Sequence, residues 1–296
     1  MALTINTNLS SIVAQRNLAN ATSSLNKAIE RMTTGYKINH AGDNAAGYSI
    51  ARNWETQLGS LDVAADNAAT GADMLTTLED TYSLVTSHLQ RVRDLTEQAA
   101  NGTYGSQSLK AIQSEITARL EEVDRISANC EFNGRKMMDG SMDAGISLQV
   151  GLYSGADSQI ELKGDLFKEC TIANMFTEYG GVADADKASV AQKCAGLDAD
   201  GNIVGKQAEM LDTIDKVIDE ISSRVTTLGA AQNRIESAIE SIGVQSENIT
   251  SSLSTLRDAD VAEESSNYIK SQILQQAAAT LLSTANQTPS IALNLL

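Results

Sequence analysis

The sequence predicts a mainly α fold: a long antiparallel helical rod with heptad packing, one β-hairpin, and paired N- and C-terminal helices. Pro289 is the single proline in 296 residues, and a chain nearly free of this helix breaker can carry very long helices. Three Phe, seven Tyr and one Trp are too few for a thick aromatic core, whereas abundant Ala, Ser, Thr, Asn and Gln suit thin helical bundles. The third observation is a sustained seven-residue repeat in the first third of the chain, the signature of coiled-coil packing.

Taken in order, Asn8 to Thr34 sets Leu18, Leu25 and Met32 seven apart, flanked by Ile12, Ala14, Ala21, Ala28 and Ile29, and Gly35 stops the helix. From Leu61 to Ala99 two rows interleave. One is Leu61, Ala68, Leu75, Tyr82, Leu89 and Thr96; the other is Ala64, Gly71, Leu78, Val85, Val92 and Ala99. Spacings alternating four and three predict a helix of roughly 55 residues starting near Asn44, about 80 Å long at 1.5 Å per residue. Asn101-Gly102 ends it, since both residues tolerate left-handed backbone angles. A second helix, from about Gln107 to Asn129, carries Leu109, Ile112, Ile116, Leu120, Val123 and Ile126 on one face and folds back antiparallel.

Asn133-Gly134 and Asp139-Gly140 mark turns. Ile146, Leu148 and Val150 alternate with small or polar residues, Gly151 to Ala156 makes a loop, and Ile160 and Leu162 alternate again, which reads as the β-hairpin. Residues 163 to about 206 lack sustained periodicity and hold Gly180-Gly181, Gly196, Gly201 and Gly205. They read as a short insertion too small for a strong core of its own, so deleting about 166 to 203 is expected to leave assembly intact. Helical period resumes at Met210, Ile214, Val217, Ile218 and Ile221 and strengthens into Ile235, Ile242, Ile249 and Leu256, with Ser246 interrupting an adjoining row of Ile239 and Leu253. Asp260 followed by Glu263 is a capping-box-like start for a last helix bearing Tyr268, Ile269, Ile273, Leu274, Leu281 and Leu282. Neither terminal helix can bury its apolar stripe alone. The simplest arrangement pairs the two chain ends antiparallel and leaves edges that further copies can cover.

With Lys plus Arg 22 against Asp plus Glu 38, the net charge of −16 repels phosphate backbones and anionic lipid heads, so neither nucleic acid nor membrane is an expected partner. Cys130, Cys170 and Cys194 are an odd count without C-x-x-C spacing; a disulfide framework and a zinc site are both disfavoured, with a Cys170 to Cys194 bridge left open. His40 and His88 have no Cys or carboxylate at ligand spacing. Asp198-Ala199-Asp200-Gly201-Asn202 resembles a calcium loop but has Ile203 where the loop needs its glycine. No catalytic, cofactor-binding or metal-ligating set emerges, so no cofactor and no enzyme chemistry is expected. Met1 to Asn20 has no secretory-signal pattern, which points to a cytoplasmic protein or to export by another route.

The most specific signals are Met32-Thr33-Thr34-Gly35-Tyr36-Lys37-Ile38-Asn39 followed by Gly42-Asp43-Asn44-Ala45-Ala46-Gly47, Gln90 to Leu95 leading to Gln98 and Asn101-Gly102-Thr103, Leu228 to Arg234, and Gln272 to Ala277. In this order they resemble the bacterial flagellin signatures over about residues 1 to 162 and 207 to 296, with Lys37 and Asn44 where that family usually has Arg and Asp. The resemblance implies a terminal-helix core domain from 1–42 with 258–296, a helical rod domain with the hairpin from 43–162 with 207–257, and a short variable outer insertion at 163–206. It implies a secreted subunit that polymerises into the extracellular flagellar filament, exported unfolded and folded at the tip. Implied partners are copies of itself, an export chaperone, the filament cap and hook-filament junction proteins, and the host Toll-like receptor for flagellin. Leu18, Leu25, Met32, Ile269, Ile273, Leu274 and Leu281 are the expected filament-core residues; Gln90, Arg91, Leu95, Gln98 and Glu115 are the expected rod and receptor-facing residues. A hook-filament junction protein and a cytoplasmic coiled-coil adaptor are the alternatives.

Overall fold

The computed structural model describes residues 8–180, 186–198 and 200–293. Residues 1–7 of the expected core domain, and Gly181 and Ala199 of the expected insertion and calcium-like loop, lie outside them. The chain forms two compact units, Met1–Gly59 with Ser246–Leu296, and Ser60–Gln245. Their charges differ sharply. The first holds 7 Lys and Arg against 8 Asp and Glu, the second 15 against 30.

Seven helices dominate the described residues: α1 Leu9–Thr34, α2 Ala45–Ala99, α3 Ser106–Asn129, α4 Ile172–Glu178, α5 Lys187–Ala195, α6 Gln207–Arg257 and α7 Val261–Leu293. None is long and apolar enough to cross a membrane. Their ends follow from local chemistry. Asn8 caps α1 by accepting from the Ser11 N–H at 3.1 Å, and Gly35 closes it at φ 75°. Asp260 accepts from the N–H groups of Ala262 and Glu263 at 2.8 and 3.3 Å, which starts α7.

In the second unit all twelve residues of the two α2 heptad rows are buried, as the repeat predicts. Met210, Val217, Arg224 and Ala231 form one buried row of α6, and Ile214, Ile221, Leu228, Ile235 and Ile242 form another. Leu109, Ile112, Ile116, Leu120 and Val123 of α3 are buried too, but Ser127 replaces the expected Ile126, its hydroxyl donating to Met138 O at 3.1 Å. Strands β3 Ile146–Gln149 and β4 Gln159–Leu162 pair antiparallel, Leu148 opposite Ile160. Gly71 permits their docking on α2, because a β-carbon there would collide with Leu148. A second hairpin was not expected from the sequence. Strands β1 Glu131–Phe132 and β2 Arg135–Lys136 pair around Asn133 and Gly134, at φ 48° and 76°, a type I′ turn. Two-residue strands carry no alternation to read.

The segment 163–206, expected as an insertion without a strong core of its own, is partly buried by packing on α3. Phe167, Cys170, Ile172, Phe176, Val190, Ala191 and Cys194 are all fully buried, and α5 lies against α3. Lys187 reaches Asp124 at 2.9 Å while the other Asp124 oxygen accepts from the Ile172 N–H at 2.8 Å. Its apolar residues are too short-spaced to give a periodic signal, yet they cover a face that α3 could not leave open. All three cysteines are free and buried, so the Cys170 to Cys194 bridge is not formed. Burial raises the Cys194 thiol to about 12, which keeps it protonated and unreactive.

Candidate assembly surface

Helices α1 and α7 pair within the first unit, with Cα atoms of the two coming within 8 Å of one another. The buried seam explains that approach. It consists of Ala14, Ala21 and Ala28 on α1 and of Glu264, Ser271, Ala278 and Ala285 on α7, each row recurring every seven residues. Small side chains let two helix backbones come closer than leucine-sized ones would. Polar contacts also cross the pair. Asn8 Nδ2 donates to Ala285 O at 2.7 Å, Ser11 Oγ to Asn286 Oδ1 at 2.7 Å, Gln275 Nε2 to Thr22 Oγ1 at 3.1 Å, and Arg31 Nη1 to Glu264 Oε1 at 2.9 Å.

The larger apolar residues lie off this seam. Ile269, Ile273, Leu274 and Leu281 are 54%, 59%, 50% and 63% exposed, Met32 is 40% exposed, and Leu18 and Leu25 are half-buried. Every residue expected to build a filament core is thus at least partly open to solvent in the single chain. Sequence reading gave the large side chains the leading role in pairing and listed Ala14, Ala21 and Ala28 only as flanking residues. The seam goes to the smallest row because closest approach recovers the most backbone and Cβ contact. A groove of about 640 Å³ runs beside it, lined by Ala21, Lys27, Arg31, Asn267, Lys270 and Leu274 among others.

The connection from α1 to α2 is pinned by charge. Lys27 Nζ lies 2.7 Å from Asp43 Oδ1, and Asp43 Oδ2 accepts from the Asn39 and His40 N–H groups. The Lys27 hydrogen bond, joined by those two backbone donors, outweighs burial and lowers the Asp43 carboxyl from 3.8 to about 2. His40, isolated in the sequence, meets Glu30 at 2.8 Å. A carboxyl depressed on folding adds stability above its unfolded pKa and loses it as pH falls through the folded one. In assembled material, where α1 is ordered, the parent is therefore expected to melt higher than Asp43→Asn above about pH 4, the gap closing toward about pH 2. Circular dichroism melts at three pH values check this, and a pH-independent gap would contradict it.

In the second unit, the expected proximity of Arg91 and Glu115 is present: Arg91 Nη2 and Nε donate to Glu115 Oε1 at 2.9 and 3.1 Å. Gln90 is exposed, and Gln98 is exposed and donates to Tyr104 OH at 3.0 Å. Leu95 does not share their surface. It is 1% exposed, because four residues after Arg91 the helix face has turned toward the buried rows. Arg224 was overlooked altogether. Its guanidinium occupies a core heptad position, donating to Tyr179 OH at 2.6 Å and to Cys170 Sγ at 3.2 Å; an Arg seven residues after Val217 in an apolar row was the available signal.

Two family models match this chain: "Bacterial flagellin N-terminal helical region" over residues 5–143 and "Bacterial flagellin C-terminal helical region" over residues 211–296. Polar flagellin F of Vibrio parahaemolyticus is 43% identical over 163 residues, covering 55% of this chain and 43% of the relative. A flagellin of Salmonella berta is 38% identical over 203 residues, covering 64% of this chain and 40% of the relative. The chain thus spans less than half the length of these relatives. A putative flagellar hook-associated protein from Vibrio parahaemolyticus shares the fold, with a TM-score of 0.58 at 13% identity over 73% of this chain and 100% of that one.

Proposed function

The chain belongs to the bacterial flagellin family, and from that premise we propose that it is a non-catalytic structural subunit that polymerises into the extracellular flagellar filament. The observation that carries this reading is the inverted apolar distribution of the terminal pair. Alanine fills the seam, while Leu9, Ile12, Ile269, Ile273, Leu274 and Leu281 face solvent. A run of large side chains left outside on both helices is the mark of a surface that another chain covers. The near-neutral charge of this unit fits the same role, since copies packed side by side meet little mutual repulsion.

In this reading the terminal segments order only on assembly. Ordering costs roughly 1–2 kcal/mol of backbone entropy per residue, whereas burying an alanine methyl returns about 0.8 kcal/mol. Export as an unfolded chain with a chaperone, and folding at the tip beside cap and junction proteins, belong to the same proposal through the family resemblance, and that balance is compatible with them. Limited proteolysis tests it: residues 8–40 and 258–293 should be cleaved in the free chain and protected in the polymer. Equal protection in both states would overturn it. The hook-associated fold neighbour supports a second reading, a junction protein present in few copies; such a protein would form short complexes instead of a polymer.

The host Toll-like receptor for flagellin is proposed to read the second unit through Arg91, with Gln90, Gln98 and Glu115 around it and without Leu95, whose side chain is inside. Losing a central Arg anchor typically costs over 1 kcal/mol, so Arg91→Ala should weaken binding of the receptor ectodomain roughly tenfold. An unchanged Kd would remove this contact.

A further inference from the structure

The alanine seam between α1 and α7 says little about its own register. Ala14, Ala21 and Ala28 repeat every seven residues, as do Ser271, Ala278 and Ala285. Sliding one helix by a heptad again sets small residues against small residues, so the specificity that mixed large and polar seam positions supply elsewhere is weak here. Register is therefore held by the polar pairs Arg31–Glu264 and Thr22–Gln275 along the helices and by whatever fixes the junctions at their ends.

The chain leaving α1 and the chain entering α7 are tied directly to each other. Lys37 N–H donates to Arg257 O at 2.7 Å, Ala259 N–H donates to Gly35 O at 2.8 Å, and Tyr36 and Asp258 form an antiparallel bridge. Two backbone hydrogen bonds that water can replace are a weak tie by themselves. Arg257 covers them. Its guanidinium lies 4.1 Å from the centroid of the Tyr36 ring and forms an ion pair with Glu55 on the first turns of α2. Its buried Nε has no hydrogen-bond partner among the described residues, so the ring on one side and the carboxylate on the other are what orient it.

We propose that Arg257 fixes the register of the α1–α7 pair at its junction end, where the Arg31–Glu264 and Thr22–Gln275 contacts do not reach, by clamping the junctions of both helices to α2. A lysine cannot substitute, because only a planar guanidinium stacks on the ring while bonding a carboxylate at its edge. Register decides which outward side chains of α1 stand beside which of α7. That consequence for neighbouring copies rests on the polymer reading; the clamp itself does not.

Disulfide trapping in the assembled full chain, where both terminal helices are ordered, tests the inference. Thr22→Cys with Gln275→Cys reports the native register, since these side chains are bonded in the structure. Thr22→Cys with Leu282→Cys or with Tyr268→Cys reports a slip of one heptad in either direction, and the chain without added cysteines gives the background from its three buried thiols. With Arg257 in place, the native pair should cross-link and the slipped pairs should not. In Arg257→Ala and Arg257→Lys the native yield should fall roughly twofold or more as slipped pairs appear. Tyr36→Leu should reproduce the slip and Tyr36→Phe should not, which keeps the test decisive if Arg257→Ala fails to fold. An unchanged native yield in Arg257→Ala, or its loss without slipped products, overturns the proposal. Cross-links are formed in pelleted polymer and read within single chains on denaturing gels, so a parent chain that never pellets would count against the polymer reading, whereas a pelleted variant with an unaltered cross-link pattern would count against the clamp alone.

Discussion

Replacing Ile273 or Leu274 by Asp should abolish polymerisation while leaving the free chain folded. Both side chains are at least half exposed in the single chain, so a carboxylate there stays hydrated and the thermal midpoint should move little. In the proposed polymer the same position would be enclosed by neighbouring helices. A buried carboxylate without a partner costs several kcal/mol, and the cost recurs at every copy, which is enough to drive a helical assembly apart. The measurement pairs a melting curve of the free chain with sedimentation of polymer. Pelleted polymer at the parental level from either variant would remove these residues from the assembly surface.

The second large effect lies in the segment that the sequence left featureless. Phe176→Ala should cost about 3–5 kcal/mol in urea unfolding, as expected for emptying a fully buried aromatic site. Its neighbours explain the size. Phe176 is fully buried on α4, in the same segment as Cys170 and Tyr179, both held by Arg224 of α6. Gln207, at the start of α6, donates to Ala99 O and Ala195 O, both at 3.4 Å. Deleting 166–203 would remove Phe176, the Cys170 and Tyr179 partners of Arg224 and the Ala195 partner of Gln207 at once and should unfold the second unit, contrary to the tolerance expected from an outward insertion. A cost below about 1 kcal/mol for Phe176→Ala would mean that the segment is a loosely attached cover after all.

The difference between what was legible and what was not has a physical origin. Rows such as Leu75, Tyr82 and Leu89 are readable because one helix presents one repeating face to one neighbour, and the period survives in the sequence. Asn8, Gly35 and Asp260 were readable because a helix start needs a side-chain acceptor and a helix stop a left-handed residue, whereas α2 ends before Asn101-Gly102 without either residue taking the left-handed angle expected of it. The burial of Phe167, Phe176 and Val190 was not, since it arises from two short helices meeting α3 across distant sequence, where no period has room to show. The seam of α1 and α7 was half legible. Its seven-residue rows of alanine stood beside rows of leucine and isoleucine, and hydrophobicity alone ranks the larger residues first, although a close helix pair selects the smaller. The Arg31–Glu264, Lys27–Asp43 and Arg257–Glu55 pairs join residues whose proximity exists only after folding. Leu95 departs from its expected surface role for the opposite reason: four residues after Arg91, about 40° of rotation is enough to turn its side chain inward.

Electron microscopy of the purified full chain, seeded with fragments of its own polymer, tests the central claim most directly. The account predicts long filaments of uniform diameter that grow from the seeds, and none from Leu274→Asp under the same conditions. Monodisperse chains, or short complexes that do not lengthen with added protein, would contradict it.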